Sequence, residues 1–433
     1  MDSLILYNNS RGFNFSKGEI PISVILLITI CLFSNTQSTM AQGNSSWINK
    51  VPVRKVIEWR HHIHQHPELS YQEINTSQYV VDLLKSFGNI EVKRPTKTSV
   101  IGILKGEQPG KTVAFRADMD ALPVKEETGL KFSSVVEGVS HACGHDAHTA
   151  MLLGTAATLS QLQDQIHGTV YFIFQHAEET PPGGSNEIIE TGVLDGIDAI
   201  FGMHVLPNFP VGEVGILPNH AASTASDMFE LTIIGKGSHG SMPHLGIDPI
   251  VIGAEIVSTL QTIISRNVTP GELGVISIGK FHAGEVANII PAKAELAATI
   301  RTTSAETRKL IEKRVKTIVA NIVQAHDAKY ELNYISNYPA IMNDPNLNSF
   351  VKESAISLLG EKNVFDAPMM TASEDFSYYR KVAPIVFMTL GVGDGPANHN
   401  PGFNIDESAL INGVKAQVQI ILDYLDHYQG DQL

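Results

Sequence analysis

Cysteine is nearly absent from this chain of 433 residues, which contains Cys31 and Cys143 and no others. Two cysteines cannot supply a disulfide framework, so the fold depends on a hydrophobic core. Because Cys31 lies in an apolar N-terminal run, we expect one cysteine in the folded body and no internal disulfide. A lone thiol is usually a small buried apolar group, but the histidines around Cys143 favour another role.

Positive charge is also in short supply, since 31 Lys and Arg face 45 Asp and Glu and give a formal net charge of −14. This balance argues against nucleic acid or an anionic membrane surface as the main partner, because both attract basic proteins. With 43% hydrophobic and 18% charged residues, the composition excludes a disordered or fibrous chain. The length predicts two or three domains.

A membrane-spanning run is missing as well. The apolar run Ile22–Phe33 is shorter than the roughly 20 residues of a transmembrane helix. With the small residues at Thr39-Met40-Ala41 it resembles a signal-peptide core, although the charges before it cancel. We predict that residues 1–41 are a signal-like or non-native extension. The protein is then secreted or membrane-tethered if translation starts at Met1, and cytoplasmic if it starts at Met40.

Four short apolar runs, rich in β-branched and aromatic residues, predict strands that are buried on both faces of a sheet. They are Lys111–Arg116, Thr169–Gln175, Asp198–Gly202 and Pro384–Leu390. Helical patterns such as Thr149–Leu162 and Asn186–Thr191 lie between them. This alternation predicts an α/β fold with a mixed, mostly parallel sheet flanked by helices.

Polar residues follow each of these runs. They are Asp118, Asp120, His176, Glu178, Glu179, His204 and His399. Ligands of α/β sheets bind at the carboxyl ends of the strands. We therefore expect these side chains to converge at one edge of the sheet.

The stretch 223–339 has a different pattern, in which a strand, a Gly-rich turn and a helix precede two strands, a second helix and a last strand. That order is typical of a small α+β layer. We therefore predict a smaller domain at 223–339, inserted into a larger domain formed by residues 50–222 and 340–433.

The segment His141–His148 (HACGHDAH) places three histidines, a thiol and a carboxylate in front of a helix. Thiolate and imidazole are good ligands for Zn²⁺ and acceptable ones for Mn²⁺, Co²⁺ or Ni²⁺. Cys143 and His145 are two positions apart, so in an extended segment both side chains would point the same way. The alternative, a packed cysteine among surface histidines, is disfavoured because further ligand types follow neighbouring strands.

Glu178 and Glu179 follow a buried strand, where two adjacent carboxylates need neutralising cations. Neighbouring side chains point in opposite directions, so one can bind metal while the other faces a substrate. The candidate ligands are Cys143, His145, Glu179, His204 and His399. Five ligands suit two divalent ions that share one ligand and activate a water molecule. Glu178 is then the candidate general acid–base.

Asp118 is a candidate for a supporting carboxylate that orients a ligand histidine. The histidine-rich segment Arg60–Pro67 has a different interpretation. Its spacing is that of a helix ending at Pro67, so its side chains surround the helix and cannot all converge. We interpret this segment as mainly structural.

These motifs resemble those of the M20 family of metallopeptidases. The similarity is greatest to the branch with N-acyl-amino-acid amidohydrolases, hippurate hydrolases and the auxin-conjugate hydrolases of plants. It extends from about Trp59 to about Leu425. It rests on HQHPELSYQE, RADMDALP, HACGHDAHTAMLLG, FQHAEE, GVLDGIDAIFGMHV, GKGSHGSMPH, VANIIP, ASEDFSYY and the final His399-Asn-Pro.

The resemblance implies a catalytic domain with two metal ions and an inserted lid domain that forms a homodimer interface. Cys143 stands at the position of a bridging thiolate, the other candidate ligands stand at the remaining metal positions, and Glu178 stands at the general base. His239 matches a lid histidine that stabilises the oxyanion across the dimer. Asn288 and Arg301 match substrate-binding positions, where an arginine could hold a carboxylate through two hydrogen bonds.

The sequence therefore predicts a metal-dependent amidohydrolase that cleaves the amide bond of N-acyl amino acids or small peptides. Its two divalent ions would be Mn²⁺ or Zn²⁺, with Co²⁺ or Ni²⁺ as further options. Two alternatives stay open. One is a metal-free cysteine hydrolase with Cys143 as its nucleophile, and the other is a catalytically silent binding protein on the same fold.

Overall fold

The computed structural model of the chain describes residues 45–428. The predictions for residues 1–41, including a signal peptide or a start at Met40, lie outside the described residues, and so does Cys31. Within 45–428, Cys143 is a free thiol. No helix in this range has both the length and the apolar character that crossing a bilayer requires.

Residues 45–428 form two sheets, a two-stranded ribbon and the helices that cover them. The strands are β1 (Ile90–Lys93), β2 (Val100–Lys105), β3 (Gln108–Asp118), β4 (His167–Gln175), β5 (Ala199–Leu206), β6 (Val214–Ile216), β7 (Ala225–Ile234), β8 (Ser238–His239), β9 (Gly274–Ala283), β10 (Ile289–Ile290), β11 (Lys293–Thr302), β12 (Lys329–Ser336), β13 (Val364–Asp366) and β14 (Ile385–Gly391). The α-helices are α1 (Val53–Gln65), α2 (Ile74–Phe87), α3 (His145–Leu159), α4 (Gly184–Glu190), α5 (Pro249–Arg266), α6 (Ala305–Ala325), α7 (Pro345–Leu359) and α8 (Ala409–His427).

The larger sheet has the strand order β1-β2-β4-β3-β5-β14-β6-β13. Its central neighbours β4, β3, β5 and β14 run parallel, and antiparallel pairs occur toward both edges. The predicted α/β fold with a mixed sheet is therefore confirmed. All four apolar runs of the sequence lie in the parallel centre, because strands covered on both faces need continuous apolar residues.

Helices cover both faces of this parallel centre. On one face α3 packs against β3, and the ring of Tyr424 in α8 lies 5.9 Å from that of Phe201 in β5. On the other face Ile188 of α4 shares a buried cluster with Ile200 and Phe387 of the strands. Close packing on both sides makes the sheet a rigid frame for the side chains at its carboxyl edge.

The smaller sheet is antiparallel, with the order β12-β7-β11-β9. Buried and less buried side chains alternate along β11, as expected for a sheet with one covered face. Helices α5 and α6 provide this cover, with Ile256, Leu260 and Val315 in the shared core. The order of elements agrees with the one predicted for 223–339, whereas the domain limits themselves stay a prediction.

The chain enters and leaves the smaller sheet side by side. The Ser226 N–H donates to the Tyr338 carbonyl at 2.9 Å, and the Asn337 N–H donates to the Ser226 carbonyl at 3.2 Å. An inserted segment must leave the larger fold and return to it at neighbouring points, and these hydrogen bonds join the two points.

The histidine-rich helix α1 is held by buried charges. Arg60 and His64 each contact Asp146 Oδ2 at 2.9 Å, through Arg60 Nε and His64 Nδ1. Burial disfavours the charged form of His64, but the attraction of Asp146 outweighs burial and raises the pKa of His64 to about 9. These contacts agree with the structural role that we predict for this segment.

Candidate metal centre

The predicted ligands come together at the carboxyl edge of the parallel strands. Glu178 and Glu179 follow β4, and His399 lies in the loop after β14 with a left-handed φ of +68°. His204 differs from expectation. The sequence predicts a strand that ends at Gly202, but β5 continues to Leu206, so His204 lies inside the strand.

Cys143 and His145 meet through a tight turn rather than an extended segment. Gly144 between them has a φ of +95°, and His145 is the first residue of α3. The expectation that strand alternation aligns the two side chains is therefore wrong, although both reach the centre. A Cβ at position 144 would lie 2.4 Å from Val205 Cγ2, so glycine is required for this close approach to β5.

Two groups of three ligand atoms share the Cys143 thiol. Cys143, His145 and His204 form one group, and Cys143, Glu179 and His399 form the other. Within each group the ligand atoms lie within 4.8 Å of one another. Cys143 Sγ is 3.5 Å from His204 Nε2, and His399 Nε2 is 3.2 Å from Glu179 Oε1. The fold thus gathers all five predicted ligands around one thiol.

Backbone carbonyls fix the tautomers of two of these histidines. His145 Nδ1 donates to the Asp120 carbonyl, and His204 Nδ1 donates to the Val205 carbonyl, each at 2.8 Å. In the neutral form of each ring, Nε2 then carries the lone pair. His145 Nε2 is buried and has no hydrogen-bond partner among the described residues. Imidazole Nε2 atoms beside a thiol and a carboxylate fit a divalent transition metal.

Negative charge surrounds this group. Burial disfavours a charge on His145, but the carboxylates of Asp118 and Asp120 outweigh burial and raise its pKa to about 10. Burial, with repulsion from Glu179, raises the pKa of the Cys143 thiol well above its usual range. Nearby carboxylates contribute to both shifts, although burial is the larger cause for Cys143. The carboxylates favour a cation in their midst, which is a requirement for a metal site.

Glu178 lies between the ligands and a second acidic pair. Its Oε2 is 4.0 Å from His145 Nε2, and its carboxylate also forms a close group with Glu374 and Asp375. Burial, followed by repulsion from Glu374 and Glu179, raises the pKa of Glu178 well above its usual range. A buried carboxyl with such a shift can carry a proton near neutral pH.

Asp118 contacts a different histidine from the one that we expect. Its Oδ1 accepts from His148 Nδ1 and its Oδ2 accepts from Arg116 Nη1, each at 2.7 Å. The ligand histidine His145 is instead oriented by a main-chain carbonyl. Direct orientation of a ligand histidine by the Asp118 hydrogen bonds is therefore not found.

His148 connects Asp118 to the strand that carries His204. Its Nε2 accepts the Val205 N–H at 2.9 Å, and its Nδ1 is bound to Asp118. Both ring nitrogens are engaged, so His148 supports the ligand strand rather than offering a lone pair to a metal. Sequence analysis missed this role, because His148 belongs to the same motif as Cys143 and His145 and has the same chemistry.

A buried network behind the site was also missed. Arg116 is 3% exposed and donates to Gln175 at 2.9 Å and to Glu374 and Asp375 at 3.0 Å each. Burial raises the pKa of Glu374 to about 8, and the attraction of Arg116 offsets only part of this effect. The motifs RADMDALP and ASEDFSYY contain these charges, but no sequence pattern indicates that they meet.

The three residues that the resemblance implies for substrate and oxyanion binding lie in segment 223–339, with His239 in the two-stranded ribbon and Arg301 in the smaller sheet. His239 in β8 pairs with Ile289 in β10, so the fold brings it close to Asn288. His239 is exposed and its Nδ1 is 2.7 Å from Ser241 Oγ, and Arg301 Nη1 donates to its own strand. Among the described residues, no hydrogen bond or ion pair joins these three to the candidate ligands.

An apolar cavity of about 300 Å³ opens beside the ligands. Cys143, His204 and His399 form part of its wall. The rest of the lining is mainly apolar and includes Leu206, Phe209, Met369 and Met370. The cavity can therefore hold an apolar group next to the metal-ligating atoms.

The fold and this site define a metal-dependent hydrolase of amide or peptide bonds. The model of peptidase family M20/M25/M40 matches residues 114–423. The chain belongs to this family, as its motifs predict.

Named relatives agree with this class. An N-acyl-L-amino acid amidohydrolase of Geobacillus stearothermophilus is 49% identical over 288 residues, which are 66% of this chain and 78% of the relative. An N-acetyl-L-cysteine deacetylase of Bacillus subtilis is 39% identical over 360 residues, which are 83% and 85% of the two chains.

Solved structures share the two-domain fold. One from methicillin resistant Staphylococcus aureus superposes with a TM-score of 0.82 at 39% identity, over 88% of this chain and 100% of that chain. A Bacillus subtilis protein described as a dinuclear metal binding peptidase of the M20 family superposes with a TM-score of 0.76 at 35% identity, over 86% and 98%.

Proposed function

We propose that this protein hydrolyses the amide bond of N-acyl amino acids or small peptides with two divalent ions per subunit. The observation that carries the proposal is the shared thiol, since Cys143 belongs to two separate groups of metal-ligating atoms. One ion would be held by Cys143, His145 and His204, and the other by Cys143, Glu179 and His399. This mixed set suits Zn²⁺ or Mn²⁺, and Co²⁺ or Ni²⁺ also accept it.

When bound, the ions polarise the amide carbonyl and lower the pKa of a water molecule. Glu178 takes the proton of the attacking water and delivers it to the leaving amine. Its position supports this role, because its carboxylate reaches toward His145 while a buried acidic pair keeps its proton affinity high. Asp118 contributes by holding His148 and, through it, the main chain beside His204.

The substrate proposal rests on the cavity beside the ligands. An amide whose carbonyl lies at Cys143 and His204 would place its acyl group among Leu206, Phe209 and the two methionines. These walls offer dispersion contacts and few hydrogen bonds, so an apolar acyl group is favoured over a charged one. The names of the amidohydrolase and deacetylase relatives agree with an N-acylated substrate.

The last part of the proposal concerns three residues of segment 223–339. We assign His239 to stabilising the oxyanion, in a homodimer formed through this segment, and Asn288 and Arg301 to binding the rest of the substrate. The proximity of His239 and Asn288 supports a common role. Arg301 is half-buried and its guanidinium has a main-chain and a hydroxyl acceptor but no carboxylate partner among the described contacts, which leaves it able to bind a substrate carboxylate.

The metal-free cysteine hydrolase is disfavoured by the same geometry. Nucleophilic cysteines need a lowered pKa, whereas burial and Glu179 raise that of Cys143. Its neighbour His204 is buried with a pKa well below the usual range, so it does not supply a stabilising positive charge. The silent binding protein is disfavoured because every predicted ligand and Glu178 are present.

The first experiment is hydrolysis of a panel of N-acyl amino acids and dipeptides by the purified protein loaded with Mn²⁺ or Zn²⁺. Turnover should disappear with a chelator. It should fall by about 10³-fold to 10⁴-fold in Glu178→Gln, which should keep its metal. Chelator-resistant turnover that thiol alkylation abolishes would support the cysteine hydrolase. No turnover across the panel with metal bound would favour the silent binding protein.

A further inference from the structure

The turn that carries Glu178 and Glu179 is held in a conformation that its own sequence does not favour. Ala177 has a left-handed φ of +50°, which is uncommon for a residue with a Cβ. Such a conformation is unfavourable unless the surroundings of the residue impose it. Ala177 is fully buried, so contacts with the rest of the protein must fix it.

One carboxylate from a distant segment supplies the main-chain contact. Glu73 Oε1 accepts the N–H of Ala177 at 2.8 Å. The same oxygen accepts the N–H of Tyr71 at 3.0 Å, and Tyr71 is itself left-handed with a φ of +66°. Glu73 thus stabilises two unfavourable backbone conformations with a single oxygen atom.

Glu73 does not cap the helix that follows it. It occupies the residue before α2, where a side chain often accepts hydrogen bonds from the first turn, but its own side chain makes no such bond. Glu68 accepts there instead, from the main-chain N–H groups of Asn75 and Thr76. Glu73 is 0% exposed, and its Oε2 has no hydrogen-bond partner among the described residues.

The next two residues of the turn are fixed from other directions. The Tyr338 hydroxyl donates to the Glu178 carbonyl at 2.8 Å, and the Glu179 N–H donates to Asp120 Oδ2 at 3.0 Å. Side chains from elsewhere in the fold thus form hydrogen bonds with the main chain of the three consecutive residues 177–179, and Glu73 forms the first of these bonds.

From this geometry we propose that Glu73 is a positioning residue, which sets the directions of the Glu178 and Glu179 carboxylates by holding Ala177 in its left-handed conformation. Rotation about the Ala177 main chain would move both carboxylates together. The metal-ligating carboxylate and the proton-carrying carboxylate are therefore coupled through one N–H. This inference rests on the proposed function: its turnover part on the proposed reaction, and its metal-retention part on the proposed role of Glu179 as a ligand.

The test compares two substitutions that fill the same space. Glu73→Gln keeps a carbonyl acceptor, and Glu73→Leu removes it. We expect Glu73→Leu to lower kcat at least tenfold with KM changed less than threefold, and to weaken metal retention against a chelator at least fivefold. Glu73→Gln should stay within about threefold of the wild type in all three. The matched control is Glu68→Ala, which should lower Tm through loss of the α2 contacts and leave kcat unchanged.

A second comparison, in which Glu73→Leu is made in the Ala177→Gly variant, tests whether Glu73 acts through the main-chain conformation of Ala177. Glycine adopts a φ of +50° without strain, so Ala177→Gly should reduce the effect of Glu73→Leu on kcat and metal retention to less than threefold. If Glu73→Leu alone does not fold, the same background should restore soluble, active protein.

Three results would overturn the proposal. They are wild-type kcat and metal retention in folded Glu73→Leu, equal losses in Glu73→Gln and Glu73→Leu, and an undiminished loss in the Ala177→Gly background. A wild-type protein without turnover on the panel would instead count against the proposed function, and the metal-retention comparison would still decide the role of Glu73.

Discussion

The carboxyl edge of the larger sheet and the inserted smaller sheet differ in how far their ionisable side chains are buried. At the edge, His145, Asp118 and Asp120 are at most 1% exposed and lie close enough to shift one another's pKa values. In the smaller sheet, charged pairs such as Lys280 and Glu295 are about half exposed. Buried carboxylates need positive partners, which Arg116 and the nearby histidines provide and a bound metal ion would add to. The difference in burial therefore points to the sheet edge as the place of the chemistry.

One ion pair in the smaller sheet departs from this pattern. Asp227 is 2% exposed and binds Arg308 through both carboxylate oxygens. Arg308 Nη2 also donates to the Asn337 carbonyl at 2.8 Å, where the chain leaves the layer. The Asp227–Arg308 pair thus joins β7 to α6 and to the point where the chain leaves the layer, and we interpret it as a structural tie.

The largest expected effect is that of Cys143→Ala. Losing the shared thiol should lower the bound metal from two ions to one or fewer per chain. We expect kcat to fall at least about 10³-fold, which is roughly 4 kcal/mol of activation free energy. Metal content after gel filtration and turnover are the measurements, with Glu178→Gln as the control that loses turnover but keeps metal. Unchanged metal content would remove the thiol from the ligand set.

His239→Ala tests whether the two-stranded ribbon takes part in the chemistry. Removing one oxyanion donor typically costs about 10²-fold in kcat, or roughly 2.7 kcal/mol, and metal content should not change. His244→Ala replaces another exposed histidine of the same turn region and should leave kcat unaltered. A kcat within twofold of the wild type in His239→Ala would confine catalysis to the sheet edge.

Asp227→Asn should destabilise the protein without altering turnover. Breaking a fully buried ion pair costs roughly 3–5 kcal/mol. We expect about 2 kcal/mol in the free energy of unfolding by urea, because asparagine keeps one acceptor and Arg308 is partly exposed. Glu295→Gln, in the exposed pair with Lys280, should give no measurable change. Equal effects of the two substitutions would contradict the contrast in burial.

The smallest effect concerns pH. The folded-state pKa of His64 is raised to about 9, above an unfolded value near 6.5. Its protonation therefore stabilises the fold fully below about pH 6.5, and this contribution is lost as pH rises toward 9. Between pH 6.5 and 7.5 we expect a loss of about 1 kcal/mol in the free energy of unfolding. His64→Gln should lack this loss, and parallel pH dependences of variant and wild type would refute the prediction.

The sequence predicts what depends on composition and order along the chain. The buried strands can be predicted because covered strands need continuous apolar residues. The candidate ligands can be predicted because thiol, imidazole and carboxylate groups follow those strands. Contacts between residues that are distant in sequence cannot be predicted in this way. Arg116 meets Glu374 across 258 positions, and Tyr338 reaches the Glu178 carbonyl across 160. Both contacts depend on how segments that are distant along the chain pack against one another.

Local geometry limits prediction in a different way. His145 and His148 have the same residue type and lie in the same motif, but their ring nitrogens differ in the structure. Among the described residues, Nε2 of His145 has no hydrogen-bond partner, whereas both ring nitrogens of His148 are hydrogen-bonded. The difference arises from main-chain groups of Asp120 and Val205 that only the folded chain brings near. Likewise, the glycine in HACGH indicates a turn. Only the structure shows that this glycine packs so closely against β5 that no other residue fits there.

The position of β14 has a consequence for biosynthesis. This strand lies between β5 and β6 in the sheet, yet about 180 residues are translated after β5 before it emerges. Until then β5 has one unpaired edge in the centre of the nascent sheet, and such edges are templates for association with other chains. At about 5–20 residues per second, the ribosome needs roughly 10–40 s to pass from His204 to His399. Binding of metal by the complete set of candidate ligands would therefore be a late event, and a chaperone that covers the β5 edge would act in this interval.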